Sequence, residues 1–172
     1  VAVNLNWRDL PLGDLLEARY DLPVYIANDS QVAALAEMRF GSSKDAGSVI
    51  VVRVGRGVGS GIVLNRQLHY GDNFGAGEIG HVVLDPAGEL CRCGNRGCLE
   101  TFVSSRALLR QARQAAEADP RSALHRYAAS PADLNIDVLF RAFQDGDPLA
   151  CRLIEDAGAR LGTSIANMAA SL

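Results

Sequence analysis

The stretch "GEIGHVVLDPAGELCRCGNRGCLE" (residues 77–100) contains three of the four cysteines and one of the three histidines of this 172-residue chain. Cys91, Cys93 and Cys98 follow one another closely, and His81 lies upstream of the first of them. Three thiolates and one imidazole are a ligand set for a tetrahedral zinc ion. The pattern predicts a structural zinc site, because four protein ligands leave no open coordination position for chemistry.

Two glutamates flank this cluster and predict a ligand site beside it. One helical turn would put Glu78 and His81 on the same face, since they are three residues apart. A histidine that binds zinc through one ring nitrogen can direct the other nitrogen at a ligand. Folding of the loop around the metal would bring Glu100 to the same place. Carboxylates beside a fixed imidazole suit a sugar, whose hydroxyls donate hydrogen bonds, while solvated surface glutamates are the alternative interpretation.

A second polar pair, Asn28-Asp29, lies between an apolar run and a helical pattern. The run, residues 24–27, predicts a buried strand, and residues 31–40 predict a helix. A loop at such a junction often carries catalytic residues. A helix N-cap would explain an aspartate there equally well, and the sequence leaves both interpretations open.

The remaining sequence predicts a mixed α/β fold. A helix is predicted over residues 12–20, strands over 48–54, 62–64 and 68–70, and mostly helix from residue 104 onward. Apolar residues at helical spacing make the last of these helices the clearest. The seven residues 55–61 between the first two strands carry four glycines, which are Gly55, Gly57, Gly59 and Gly61.

Composition narrows the class of protein. Hydrophobic residues make up 48% of the chain and charged residues 22%, which is typical of a globular protein. A net charge of −3 argues against a nucleic-acid surface within this chain. No apolar run is long enough to cross a membrane, and the cytoplasm is the expected location. Because the chain starts at Val1 and stops at Leu172 within a helical pattern, we expect it to be cut at both ends.

At the level of whole motifs, "GAGEIGH" and "CRCGNRGCLE" resemble the signature of the ROK family of bacterial sugar-sensing repressors and sugar kinases. The stretches "NLNWRDLPLGDLL", "VYIANDSQVAALAE", "GIVLNRQL" and "DAGARLGTSIANM" agree with it, so the resemblance covers nearly the whole chain. It implies part of a hexokinase-like, actin-type ATPase fold of the ribonuclease H-like class, with a sugar cleft between two lobes. Residues 1–40 would end the N-terminal lobe, and residues 41–172 would form the C-terminal lobe with the glycine loop and zinc motif.

The resemblance also implies roles for individual residues. The structural zinc ligands of the family correspond to His81, Cys91, Cys93 and Cys98. Its phosphate loop corresponds to the glycine-rich residues 55–61. In the kinases, the residue matching Asp29 is the general base, which deprotonates the sugar hydroxyl that attacks the γ-phosphate of Mg-ATP. The sugar-contacting residues of the family correspond to Asn28, Asp29, Glu78, His81 and Glu100.

Two functions follow from the resemblance, and one departure separates them. Arg56 stands where the kinases usually carry a small hydroxyl residue, and it favours the repressor branch, in which ATP use is often lost. The chain would then be a sugar-sensing effector domain, with DNA bound by an upstream helix-turn-helix. The alternative is an ATP-dependent sugar kinase of the glucokinase type, with Asp29 as base.

Some expectations hold for either function. A homo-oligomer is expected from the family. The first phosphate loop of the family has no counterpart in this chain, so we expect no phosphoryl transfer by the fragment alone. A non-binding interpretation, in which zinc only staples the loop, is the third alternative.

Overall fold

The computed structural model describes residue 7, residues 9–72 and residues 75–172. The stretch "NLNWRDLPLGDLL" (residues 4–16), which resembles the family sequence, therefore lies partly outside the described residues. The described chain is mixed α/β, as predicted. Its elements are α1 (Leu12–Tyr20), α2 (Asp29–Phe40), β1 (Val49–Val54), β2 (Val58–Leu64), β3 (Gln67–His69), a 3₁₀ turn (Ile79–His81), α3 (Glu100–Val103), α4 (Ser105–Ala118), 3₁₀ turns at Ala123–Arg126 and Pro131–Asp133, α5 (Ile136–Gln144) and α6 (Pro148–Ala170).

The chain divides into two units, the first made mainly of residues up to 52 and of 60–77. Its sheet has the order β1-β2-β3, and β2 pairs with β3 in antiparallel fashion. Asn65 and Arg66 form the turn between β2 and β3. Both residues have positive φ, 51° and 64°, as a tight two-residue hairpin requires.

Helix α2 packs against this sheet through Ala34 and Met38, which form a small buried cluster with Val63. The approach of helix and strand is close enough to need a glycine. A Cβ atom at Gly61 would lie 2.3 Å from the carbonyl oxygen of Ser30. The apolar face of α2 and the glycine of β2 thus fix the helix on the sheet.

The glycine-rich stretch differs from the predicted seven-residue loop. Strand β2 already begins at Val58, so Gly59 and Gly61 are strand residues. Only Gly55 to Gly57 form a turn, closed by the Gly55 N–H, which donates to the Gly57 carbonyl at 2.9 Å. Glycine marks close packing within a strand as well as loops, and local sequence does not separate the two cases.

The prediction of a buried strand at residues 24–27 was wrong. The segment is extended but pairs with no strand in the described part of the chain, and the side chains of Tyr25 and Ile26 are 93% and 58% exposed. An apolar run is a buried strand only when a neighbour supplies hydrogen bonds and cover, and sequence alone does not show the neighbour.

The second unit, residues 53–59, 78–91 and 95–172, is mostly helical. Its core contains the fully buried side chains of Leu99, Leu124, Leu134 and Leu139. Partly buried residues of α6, including Leu153 and Leu161, pack against this core and confirm the predicted amphipathic last helix. No helix in the described ranges has the length and apolar character to cross a membrane. The lobe boundary between residues 40 and 41 stays a prediction.

Candidate functional site

The segment between His81 and Glu100 folds back on itself through short antiparallel bridges. Val83 pairs with Cys98, and Leu90 pairs with Arg96. Gly97, at φ +61°, lies so close to the chain that a Cβ atom would be 1.7 Å from the carbonyl oxygen of Asp85. The glycine is therefore needed for the loop to close, and its closure brings the two ends of the cysteine motif together.

The predicted metal ligands form one cluster. His81, Cys91, Cys93 and Cys98 each offer one ligand atom, and these atoms all lie within 4.8 Å of one another. The Nδ1 atom of His81 is 3.6 Å from the Sγ atom of Cys91. Tetrahedral zinc, with bonds of about 2.3 Å to sulfur and about 2.0–2.1 Å to nitrogen, puts such a pair about 3.6 Å apart. The residues therefore fit a shared tetrahedral ion.

His81 also faces a carboxylate with its second ring nitrogen. It ends the 3₁₀ turn Ile79–His81, which Glu78 precedes. The Nε2 atom of His81 lies 3.8 Å from Oε2 of Glu78, and the two side chains are 29% and 48% exposed. If Nδ1 binds a metal, Nε2 carries the proton and can donate it to a hydrogen bond. The predicted common face of Glu78 and His81 is thus present and accessible.

Glu100 begins α3 and has a partner that the sequence did not predict. Its Oε2 atom accepts a hydrogen bond of 2.9 Å from the backbone N–H of Val58. A Cβ atom at Gly57 would lie 2.7 Å from the same oxygen. The glycine at position 57 was the signal in the sequence, because it leaves room for this carboxylate against the turn.

Asn28 and Asp29 are both exposed, and they have different structural roles. Asn28 is the N-cap of α2, and its side chain accepts hydrogen bonds from the N–H groups of Ser30 and Gln31, at 2.8 and 3.4 Å. Asp29 is the first residue of the helix, and its Oδ1 accepts from the Ser30 hydroxyl at 3.4 Å. The capping role considered for Asp29 therefore belongs to Asn28.

The turn Gly55–Gly57 presents Arg56 to solvent. Its backbone is fixed from α4, since the N–H of Ser105 donates to the Gly55 carbonyl at 2.8 Å. Gly59 and Gly61, predicted with Gly55 and Gly57 as one phosphate loop, continue into β2.

The family model for the ROK family matches residues 1–172. The chain belongs to the ROK family. A glucokinase of Halalkalibacterium halodurans is 38% identical over 172 residues, an alignment that covers 99% of this chain and 52% of the relative. A putative xylose repressor of a Caldicellulosiruptor species is 36% identical over 169 residues, covering 98% of this chain and 42% of the relative. ROK relatives of this chain thus include both kinases and repressors.

A solved ROK structure agrees with the chain over its full length. The ROK glucokinase of Streptomyces griseus, in complex with glucose and AMPPNP, superposes with a TM-score of 0.91 at 36% identity, covering 100% of this chain and 56% of that protein. The expected hexokinase-like, actin-type ATPase fold is confirmed. The chain spans about half the length of the curated ROK relatives that it matches.

Proposed function

We propose that this chain is the sugar-binding effector part of a ROK transcriptional repressor. The observation that carries the proposal is the imidazole of His81, which faces Cys91 with one nitrogen and Glu78 with the other. A ring fixed in this way presents an N–H beside a carboxylate, and a sugar hydroxyl can accept from the first and donate to the second. Kinase and repressor relatives both support a sugar ligand.

In this proposal a structural zinc ion is held by His81, Cys91, Cys93 and Cys98. When bound, it supplies charge and rigidity that fix the imidazole, and with four protein ligands it takes no substrate. Glu78, His81 and Glu100 hydrogen-bond sugar hydroxyls. The family motif adds Asn28 and Asp29 as proposed sugar contacts. The Glu78 side chain is 48% exposed, so a sugar can reach its carboxylate from solvent.

Arg56 supports the repressor over the kinase. A guanidinium at the apex of the turn occupies space that a nucleotide phosphate would need for close approach to the backbone. Sugar binding would then act by linkage, changing DNA affinity only as far as the sugar prefers one conformation of the protein. DNA would be bound by a helix-turn-helix upstream of this chain. A homo-oligomer is proposed from the family.

Asp29 supports the alternative, an ATP-dependent sugar kinase of the glucokinase type. Because Asn28 provides the helix cap, the Asp29 carboxylate is not required for that role. As general base it would take the proton of a sugar hydroxyl while that oxygen attacks the γ-phosphorus of Mg-ATP. The bond from phosphorus to the bridging oxygen breaks, and ADP leaves. Gly55 and Gly57 would lie at the phosphates.

The test is sugar binding by the full-length protein with the substitution Glu78→Gln. Calorimetric titrations with glucose, N-acetylglucosamine and xylose should give saturable binding of at least one sugar by the wild-type protein. Loss of the carboxylate charge should weaken that affinity about tenfold, because hydrogen bonds to charged groups are the stronger class.

The matched control is Glu155→Gln, the same chemical change at an exposed position of α6. It should bind the sugar as the wild-type protein does. Equal affinities of wild-type and Glu78→Gln protein would remove Glu78 from the site, and no binding of any of the three sugars would contradict the sugar site as proposed.

A further inference from the structure

Backbone atoms of the glycine turn and of Val58, the first residue of β2, make three contacts with α3, α4 and the 3₁₀ turn Ile79–His81. The N–H of Val58 donates to Glu100, and the carbonyl of Gly55 accepts from the N–H of Ser105. The carbonyl of Val58 lies against the 3₁₀ turn so closely that a Cβ atom at Gly80 would be 2.1 Å away. The Val58 side chain is 5% exposed in the same core as Ile79 and Leu99. The turn therefore moves with the elements that carry His81 and Glu100.

The two oxygens of the Glu100 carboxylate have different roles in this inference. Oε2 accepts the Val58 N–H at 2.9 Å, a charge-assisted hydrogen bond. Oε1 takes no part in that bond, and it is the oxygen that would accept from a sugar hydroxyl in the proposed site. A carboxylate is rigid and planar, so its two oxygens move together. A ligand that displaces one oxygen therefore also displaces the oxygen that accepts from the backbone N–H.

We propose that Glu100 is a positioning residue that links the sugar site to the glycine turn through the N–H of Val58. The inference rests on the proposed sugar role of Glu100. In a repressor, sugar binding would displace the turn that bears Arg56 through this link. In a kinase, it orders the backbone that faces the phosphates only when the sugar is in place.

Gly57 offers a way to disturb the link without changing Glu100. A Cβ atom there would lie 2.7 Å from Oε2 of Glu100 and 3.6 Å from its Cδ. Since the obstructed atom is the end of a flexible side chain, Gly57→Ala should fold and displace only the carboxylate. Gly47→Ala is the matched control, because this glycine lies outside the turn and its Cβ would meet nothing within 4 Å among the described residues.

The first experiment is amide hydrogen exchange at Val58 by NMR, in the sugar-free full-length protein. Glu100→Ala should raise the exchange rate of this amide about tenfold, the effect of losing one hydrogen bond to a charged acceptor. Glu100→Gln should restore most of the protection, because its amide oxygen can still accept. Glu78→Gln should leave Val58 unchanged, although it weakens sugar binding. An unchanged Val58 rate in Glu100→Ala overturns the proposal.

The second experiment is a double-mutant cycle in sugar affinity, with whichever of glucose, N-acetylglucosamine or xylose the wild-type protein binds. Gly57→Ala should weaken binding about tenfold in the wild-type background and not at all beside Glu100→Ala. Gly47→Ala should have no effect in either background. Equal losses from Gly57→Ala in both backgrounds, or no loss in either, overturn the link. Because the exchange experiment needs no sugar, failure of the sugar site and failure of the link are separate results.

Discussion

Cys98 is the cysteine whose removal tests the metal site most directly, because its side chain is fully buried and its backbone pairs with Val83. From the proposed site we expect about one zinc ion per chain in the purified full-length protein, and well below half of that in the Cys98→Ser variant. A hydroxyl is a much poorer zinc ligand than a thiolate, and the other three residues then make an incomplete set. Elemental analysis measures the change.

The control for that substitution is Cys151→Ser. Cys151 lies on α6, outside the cluster, where its thiol faces the carbonyl of Phe143 at 3.8 Å. It should keep the full zinc content. Loss of metal from both variants would indicate general unfolding, and retention of metal by Cys98→Ser would contradict the four-ligand site.

These single residues also mark what the sequence could predict. The ligand cluster followed from residue types and spacing, because thiolates and an imidazole so close in sequence have little other use. The hydrogen bond from Val58 to Glu100 joins residues 42 apart in sequence, and no local sequence pattern predicts it. The glycine that makes room for Glu100 was visible, but its reason lies in another element.

The helix N-caps show a similar division between local and long-range information. Side chains of Asn28, Ser104, Asn135 and Asp147 cap α2, α4, α5 and α6. Residues of this type before an apolar helical pattern predict where a helix begins. Whether residues 24–27 pair with a neighbouring strand depends on residues far away in the sequence. The prediction of a buried strand there was wrong.

Asp147 begins the longest helix, and its substitution tests the contribution of a buried cap. Its Oδ1 accepts from the N–H groups of Leu149 and Ala150, at 3.0 and 2.9 Å, and the residue is 3% exposed. Its Oδ2 has no hydrogen-bond partner among the described residues. Asp147→Ala should lower the free energy of unfolding by about 1 kcal/mol, the typical loss for a cap, with the uncompensated oxygen offsetting part of the cost.

Two further variants make that measurement specific. Asp147→Ser keeps a capping oxygen and discards the carboxylate oxygen that lacks a partner, so it should be more stable than Asp147→Ala. Asp156→Ala, at an exposed position within the same helix, should not lower the midpoint, because alanine has the higher helix propensity. Thermal denaturation of the full-length variants gives the order. Equal midpoints for the alanine and serine variants at 147 would contradict a capping role.

For the whole protein, the question is whether the glycine turn serves a nucleotide. The repressor and kinase relatives have closely similar identities to this chain, 36% and 38%, so overall likeness does not separate the functions. The turn is held at both ends, by the hydrogen bond from the Ser105 N–H to the Gly55 carbonyl and by the one from the Val58 N–H to Glu100. At this turn the family resemblance implies one departure from the kinases, the exposed side chain of Arg56. In our proposal, the choice between the two functions depends on whether phosphate can approach this backbone.

Arg56→Thr in the full-length protein tests that dependence. The smaller hydroxyl side chain should restore close approach of phosphate and raise sugar-dependent ADP release, in a coupled assay with Mg-ATP, at least about tenfold, the effect of about 1.4 kcal/mol in the barrier. Arg39→Thr, which removes an exposed cation from α2, is the control and should not change the rate. Equal rates for wild-type and Arg56→Thr protein would show that Arg56 is not the obstacle. Wild-type turnover at rates of about 1–100 s⁻¹, typical of kinases, would instead support the kinase with Asp29 as base, because a turn blocked by arginine could not sustain it.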